Sequence, residues 1–137
     1  MQQHIYIMIS RTPTMFGSVI RKFAKQQYNH ASVAIDESLE HTYAFARLKH
    51  STPLLGGLVR ENLDRFTLRR DSKVPVIVYK IPVSDEQYEF ITSRIEEMMK
   101  KKKKFIYNLL SIITYPFLHG CSMRNAFTCI EFAAYVL

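Results

Sequence analysis

Cysteine is scarce in this chain: Cys121 and Cys129 are the only two among 137 residues. Two thiols are too few for a disulfide framework, so the fold must come from a hydrophobic core rather than from covalent staples. Long apolar runs are also missing, and none reaches the roughly 20 residues that a helix needs to cross a bilayer. The opening residues, MQQHIYIMIS, have neither a basic n-region nor a small-residue cleavage site and do not read as a secretory signal. The expectation is a cytoplasmic protein with reduced thiols and no transmembrane segment. Internal repeats are absent, and the one low-complexity stretch is a run of lysines. The length suits one core, so a single domain over residues 1–137 is expected.

What is present is the balance of a folded globular protein, with 47% hydrophobic and 23% charged residues. The net charge is +7, and Lys100–Lys104 account for most of the excess. Such a run suits the solvated C-terminus of a helix, where cations meet the negative end of the dipole. It equally suits an anionic partner: nucleic acid, acidic lipid or wall polymer. No aromatic residue interrupts it, so a stacking platform for single strands is not indicated.

Residues 4–10, HIYIMIS, read as a buried strand. A helix follows, with Thr14 as its expected cap and Phe16, Val19, Ile20 and Phe23 on one face. HASVAID, from His30 to Asp36, is a second strand. Ala31, Val33 and Ile35 point to the core, and His30, Ser32, Ala34 and Asp36 form a small, polar opposite face. HTYAFARL pairs with it as a hairpin. Pro53, Gly56 and Gly57 mark a loop, and VRENLDRFTLRR holds an irregular strand at most. KVPVIVYKIP is the clearest strand, and Pro75 argues against a central place for it. In SDEQYEFITSRIEEMMKKKKK, Ser84 and Gln87 make a capping box, and Tyr88, Ile91, Ile95 and Met98 form one helical face. FIYNLLSIITYPFLHG is apolar and helical up to Pro116, GCSMRNAFT is a loop, and CIEFAAYVL begins a last helix. Strands in succession rather than in alternation with helices predict an α+β fold with a largely antiparallel sheet.

Cys129 stands where loop gives way to helix, a position at which the helix dipole favours a thiolate. His30 opens a strand and faces its polar side, from which an imidazole can reach a helix end and pair with a thiol. Taken alone, each residue is as well explained by packing: a cysteine in an apolar segment as a small core residue, and the histidine as a donor to a nearby carbonyl.

The segment YNHASVAIDESLEHTYAFARL, followed far downstream by FTCIEFAAYVL, resembles the circularly permuted NlpC-type branch of papain-like amidases and acyltransferases. That branch includes lecithin–retinol acyltransferase and small bacterial enzymes. Asn29-His30 with its alternating strand is similar to the histidine motif, and Phe127-Thr128-Cys129 with Glu131-Phe132 is similar to the cysteine motif. The Thr12 region, Gly56-Gly57 and Tyr107-Asn108 extend the likeness over nearly the whole chain.

The resemblance implies a papain-like fold and a cysteine hydrolase or acyltransferase that cleaves an amide, ester or thioester through an acyl-enzyme. Cys129 is then the nucleophile and His30 the general base and acid. It implies no cofactor, and peptide, lipid or other acyl substrates. A third polar residue that orients the imidazole is expected on the strand after the histidine strand. If Asp36 and His41 bracket the hairpin, His30 falls opposite Arg47, and Tyr43 and His41 are the candidates, Tyr43 first. A register shifted by one residue presents Thr42, Ala44 and Ala46 instead. Cys121 is a rival nucleophile in a loop after Gly120. His119, Cys121 and Cys129 supply only three zinc ligands at an unusual spacing. Other classes remain open: a binding domain of the same fold without turnover, and a basic nucleic-acid-binding module.

Overall fold

The computed structural model describes residues 2–12, 15–48, 56–62, 73–118 and 121–137. The protein is mixed α+β, with a five-stranded antiparallel sheet packed against helices. The strands are β1 (Gln3–Ser10), β2 (His30–Ala34), β3 (Thr42–Arg47), β4 (Gly56–Glu61) and β5 (Val76–Val83), in the order β4-β3-β2-β1-β5. β1 carries the β-branched and aromatic residues of a buried strand and pairs with both β2 and β5. β5 lies at the edge, where the missing amide of Pro82 is tolerated.

One face of the sheet presents Ile5, Val33, Phe45 and Leu58. Against it pack Ile91, Ile95 and Met98 of α2 (Asp85–Lys100) and Phe132, Ala133 and Val136 of α4 (Cys129–Val136). The spacing of four and three in α2 makes that buried stripe. Its start is fixed as the sequence predicts: the Gln87 amide donates to Ser84 Oγ at 3.1 Å, and the Ser84 amide donates to Gln87 Oε1 at 2.9 Å. The Phe45 ring is the centre of the aromatic packing, 5.2 Å from Phe127 and 5.4 Å from Phe132 between centroids.

Three local expectations change. Gly56 and Gly57 do not form a loop but open β4. A Cβ on Gly56 would stand 2.5 Å from Cβ of Tyr107, and one on Gly57 would stand 3.3 Å from the Phe105 carbonyl oxygen. The two glycines therefore let residues 105–107 close over the end of β4. FIY is not helical, because Ile106–Tyr107 is a short strand, β6, parallel to β7 (Ala126–Phe127) within the expected loop. Finally, α3 (Leu109–Leu118) runs past Pro116, which sits in the last turn where only the end of the ladder loses a donor. α1 (Met15–Ala24) follows β1. The lysine run ends α2 and continues as a 3-10 turn, Lys102–Lys104. Thr14, Pro53 and the part of VRENLDRFTLRR beyond Asn62 lie outside the described residues.

Gly56→Ala is expected to destabilise the protein by about 1–3 kcal/mol through overpacking against Tyr107. Urea unfolding of the variant beside the parent measures this, and an unchanged midpoint would contradict the close approach.

Candidate active site

Cys129 is the first residue of α4, and Thr128 is its N-cap. The Glu131 amide donates to Thr128 Oγ1 at 3.2 Å, and the Thr128 amide donates to Glu131 Oε2 at 2.7 Å. This Thr-x-x-Glu box fixes where the helix begins and hence where the thiol points. Glu131 is itself held from α3: Ser111 Oγ donates to Oε1 at 3.1 Å, and Asn108 Nδ2 lies 3.4 Å from Oε2. Asn108 also donates to the Cys121 carbonyl at 2.7 Å, and the Cys121 amide donates to Ser111 Oγ at 3.1 Å. The backbone of Cys121 thus belongs to the frame that carries Cys129.

His30 opens β2, and Asn29 sets its position. The Thr12 amide donates to Asn29 Oδ1 at 3.0 Å, Asn29 Nδ2 donates to Thr12 Oγ1 at 2.6 Å, and Arg21 donates to Asn29 Oδ1 at 2.7 Å. Gly17 allows this contact, since a Cβ there would stand 2.7 Å from Asn29 Nδ2. The Asn29 side chain therefore clamps the end of β1 and α1 to the start of β2.

The imidazole has two partners of opposite origin. His30 Nε2 lies 2.8 Å from Glu61 Oε1, and the Cys129 thiol group is a hydrogen-bond partner of the same ring. Ser32 Oγ donates to the other oxygen of Glu61 at 2.5 Å. Both members of the ion pair are withdrawn from solvent, with 11% of the His30 and 4% of the Glu61 side chain exposed. Cys129 is 5% exposed. Burial alone would lower the His30 pKa. The Glu61 charge, the hydrogen bonds from Cys129 and Glu61 and the Cys129 charge outweigh it and raise the value to about 10. Tyr107 also borders Cys129: burial and then the Cys129 charge push its phenol well above the ordinary range, against the opposing pull of Arg47.

The orienting residue differs from the one expected. Tyr43 pairs with Val33 and packs on the core cluster, so it lies on the face of the sheet away from the imidazole. His41 stands in the turn, its Nδ1 3.6 Å from Asp36 Oδ1 and half of its side chain exposed. The register Val33↔Tyr43 and Ala34↔Thr42, continued along the hairpin, places His30 opposite Ala46 rather than Arg47. The residues on that face of β3 are then Thr42, Ala44 and Ala46, too small or too short to hold the ring. The partner comes instead from one strand further out: Glu61 pairs with Thr42 and shares the face of Ser32 and His30. Alternation along LVRE would have put Glu61 on the face opposite Leu58, had Gly56-Gly57 been read as the start of a strand.

Among the described residues no group of three or more His, Cys, Asp or Glu is arranged to hold a metal ion, and His50 and His119 lie outside them. A groove of about 400 Å³ between β5 and α2 is lined by Ile81, Phe90 and Leu137 among others. Leu137 is eight residues along from Cys129, about 12 Å at helical rise, so this groove is remote from the Cys129 thiol.

The raised His30 pKa has a thermodynamic consequence. A histidine protonated more readily in the folded state stabilises the fold fully below its unfolded value near 6.5, and this is lost as pH rises towards 10. Stability should therefore fall between these limits by up to about 1.4 kcal/mol per pH unit. In Glu61→Gln the decline should be shallower and complete at lower pH. Urea midpoints across that range measure it, and equal slopes in parent and variant would refute the pairing.

Comparison with family models, with curated proteins and with solved structures finds no match to this chain.

Proposed function

We propose that this protein is a cysteine hydrolase or acyltransferase of the circularly permuted, papain-like NlpC type, acting on an amide, ester or thioester. One observation carries the reading: a single buried imidazole bonded both to Cys129, at the start of α4, and to Glu61. Packing alone gives no reason for a thiol, an imidazole and a buried carboxylate to converge from three separate elements. The order of the two motifs in the chain, histidine strand first and cysteine helix last, supports the same conclusion.

In this reading Glu61 engages Nε2 and leaves Nδ1 to face the thiol. Glu61 and Cys129 raise the His30 pKa to about 10, so the ring stays protonated through neutral pH, and in the reaction Cys129 attacks as the thiolate beside that imidazolium. The thiolate attacks the carbonyl carbon of the substrate, and the developing oxyanion is met by amides of the first turn of α4, beginning with that of Cys129. His30 then gives its Nδ1 proton to the leaving amine, alcohol or thiol, and the acyl group remains on Cys129. Water, or an acceptor in a transferase, is deprotonated by the now neutral imidazole and releases the acyl group. Ser32 holds the second oxygen of Glu61 so that the carboxylate keeps the ring in one plane. Tyr107, kept protonated beside Cys129, remains a hydrogen-bond donor throughout.

Thiol mapping tests the assignment. Cys121 is the more exposed of the two thiols, so exposure alone predicts that it alkylates first. With activation by His30, Cys129 should react faster with iodoacetamide at pH 6, and His30→Ala should abolish that preference. With a panel of small activated esters, Cys129→Ala should remove turnover and Glu61→Gln should lower kcat by about 10²–10⁴-fold. Equal, slow labelling of both cysteines together with no turnover would favour a binding domain without catalysis.

A further inference from the structure

From Met98 through Ile130 the chain contains no Asp or Glu, while Lys100–Lys104 and Arg124 carry six positive charges. The same stretch holds five of the fourteen exposed large apolar side chains among the described residues: Ile106, Leu110, Phe117, Met123 and, at its end, Ile130. Phe117 is 85% and Ile130 69% exposed, so little of either side chain is covered by the described residues. Local pairing gathers Ile106 with Met123 and Leu110 with Ile130, and Phe117, seven residues after Leu110, lies on the same side of α3. Ile106 follows the lysine turn by two residues, and its amide donates to the Asn125 carbonyl at 3.0 Å, which brings Met123 and Arg124 alongside. The bond between Ser111 and Glu131 likewise places their chain neighbours Leu110 and Ile130 at one junction of α3 and α4.

From this placement we infer that the face formed by the lysine turn, β6, α3 and the start of α4 docks on an anionic lipid bilayer. Phosphate headgroups match the lysines, and the acyl boundary matches Phe117, Ile106 and Ile130. A nucleic acid or a wall polymer satisfies the charge but leaves the apolar side chains in water. α3 has ten residues, about 15 Å of helix, so it lies in the interface and does not span it. Cys129, next to Ile130, is then held at the membrane surface.

Binding is measured by co-sedimentation with vesicles, using full-length Cys129→Ala so that turnover plays no part. A failure here therefore leaves the hydrolase reading untouched. The protein should sediment with phosphatidylcholine vesicles in which a quarter of the lipid is phosphatidylglycerol, and not with phosphatidylcholine alone. Changing Lys102, Lys103 and Lys104 to Gln should weaken sedimentation about 100-fold, at roughly fivefold per lysine. Phe117→Ser should weaken it about tenfold while leaving binding to inorganic polyphosphate unchanged, with circular dichroism confirming that both variants fold. No sedimentation with the anionic vesicles overturns the proposal. So does an unaltered vesicle affinity in Phe117→Ser, which would make the lysines a plain anion site.

Discussion

A carboxylate that is almost fully withdrawn from water must find its compensation inside the protein, and Glu61 finds it in His30 and Ser32. Removing one partner of such a pair typically costs about 3–5 kcal/mol, because the other charge is left buried alone. The pair therefore constrains everything that positions its members. β2 must start at His30, which Asn29 secures from the Thr12 side. β4 must reach Glu61 in the register set by Thr42. The sheet cannot slip by one residue without separating the charges and exchanging the core face of Phe45 and Leu58 for the face of Ser32.

A second frame, polar and independent of the first, holds the thiol. Glu131, Asn108, Ser111 and the backbone of Cys121 bind the first turn of α4 to the first turn of α3. The two frames meet where Cys129 bonds to the imidazole. In the proposed reading this division matters for chemistry, because the thiol and the imidazole are each held in place before they touch, and little side-chain entropy would be left to lose when a substrate arrives. The glycines serve the same end: Gly56 and Gly57 let Tyr107 approach the sheet, and Gly17 lets α1 approach Asn29.

How much of this was legible in the sequence follows from which signals are local. The capping box at Ser84, the alternation of β2 and the amphipathic stripe of α2 depend on neighbours within a few residues, and all appear at the predicted places. Cys129 at a helix start was legible for the same reason, and the Thr128–Glu131 box that fixes it is equally local. Glu61 was not legible, because its role depends on a register across three strands. The glycines that read as a loop conceal the strand that carries it. Tyr43 looked suitable only under a hairpin register one residue away from the real one, and a period-two pattern turns such a slip into the wrong face. β6 and β7 were hidden because two-residue strands leave no periodicity to detect.

The placement of the site and the distribution of charge also belong to one argument. The excess of positive charge collects in the stretch that ends at α4, whereas the sheet and α2 carry charges of both signs. A buried imidazolium paired to Glu61 adds no net charge to the surface, so the positive field outside the site comes from Lys100–Lys104 and Arg124 together with Arg47, whose charge reaches Tyr107. At ordinary salt that field decays within about 8–10 Å. It can therefore draw an anionic surface towards the start of α4 without altering the short-range balance that keeps His30 protonated. In the proposed reading, attraction of an anionic partner and activation of the thiol are separable, because one would act through screened charges in water and the other through unscreened contacts in the interior.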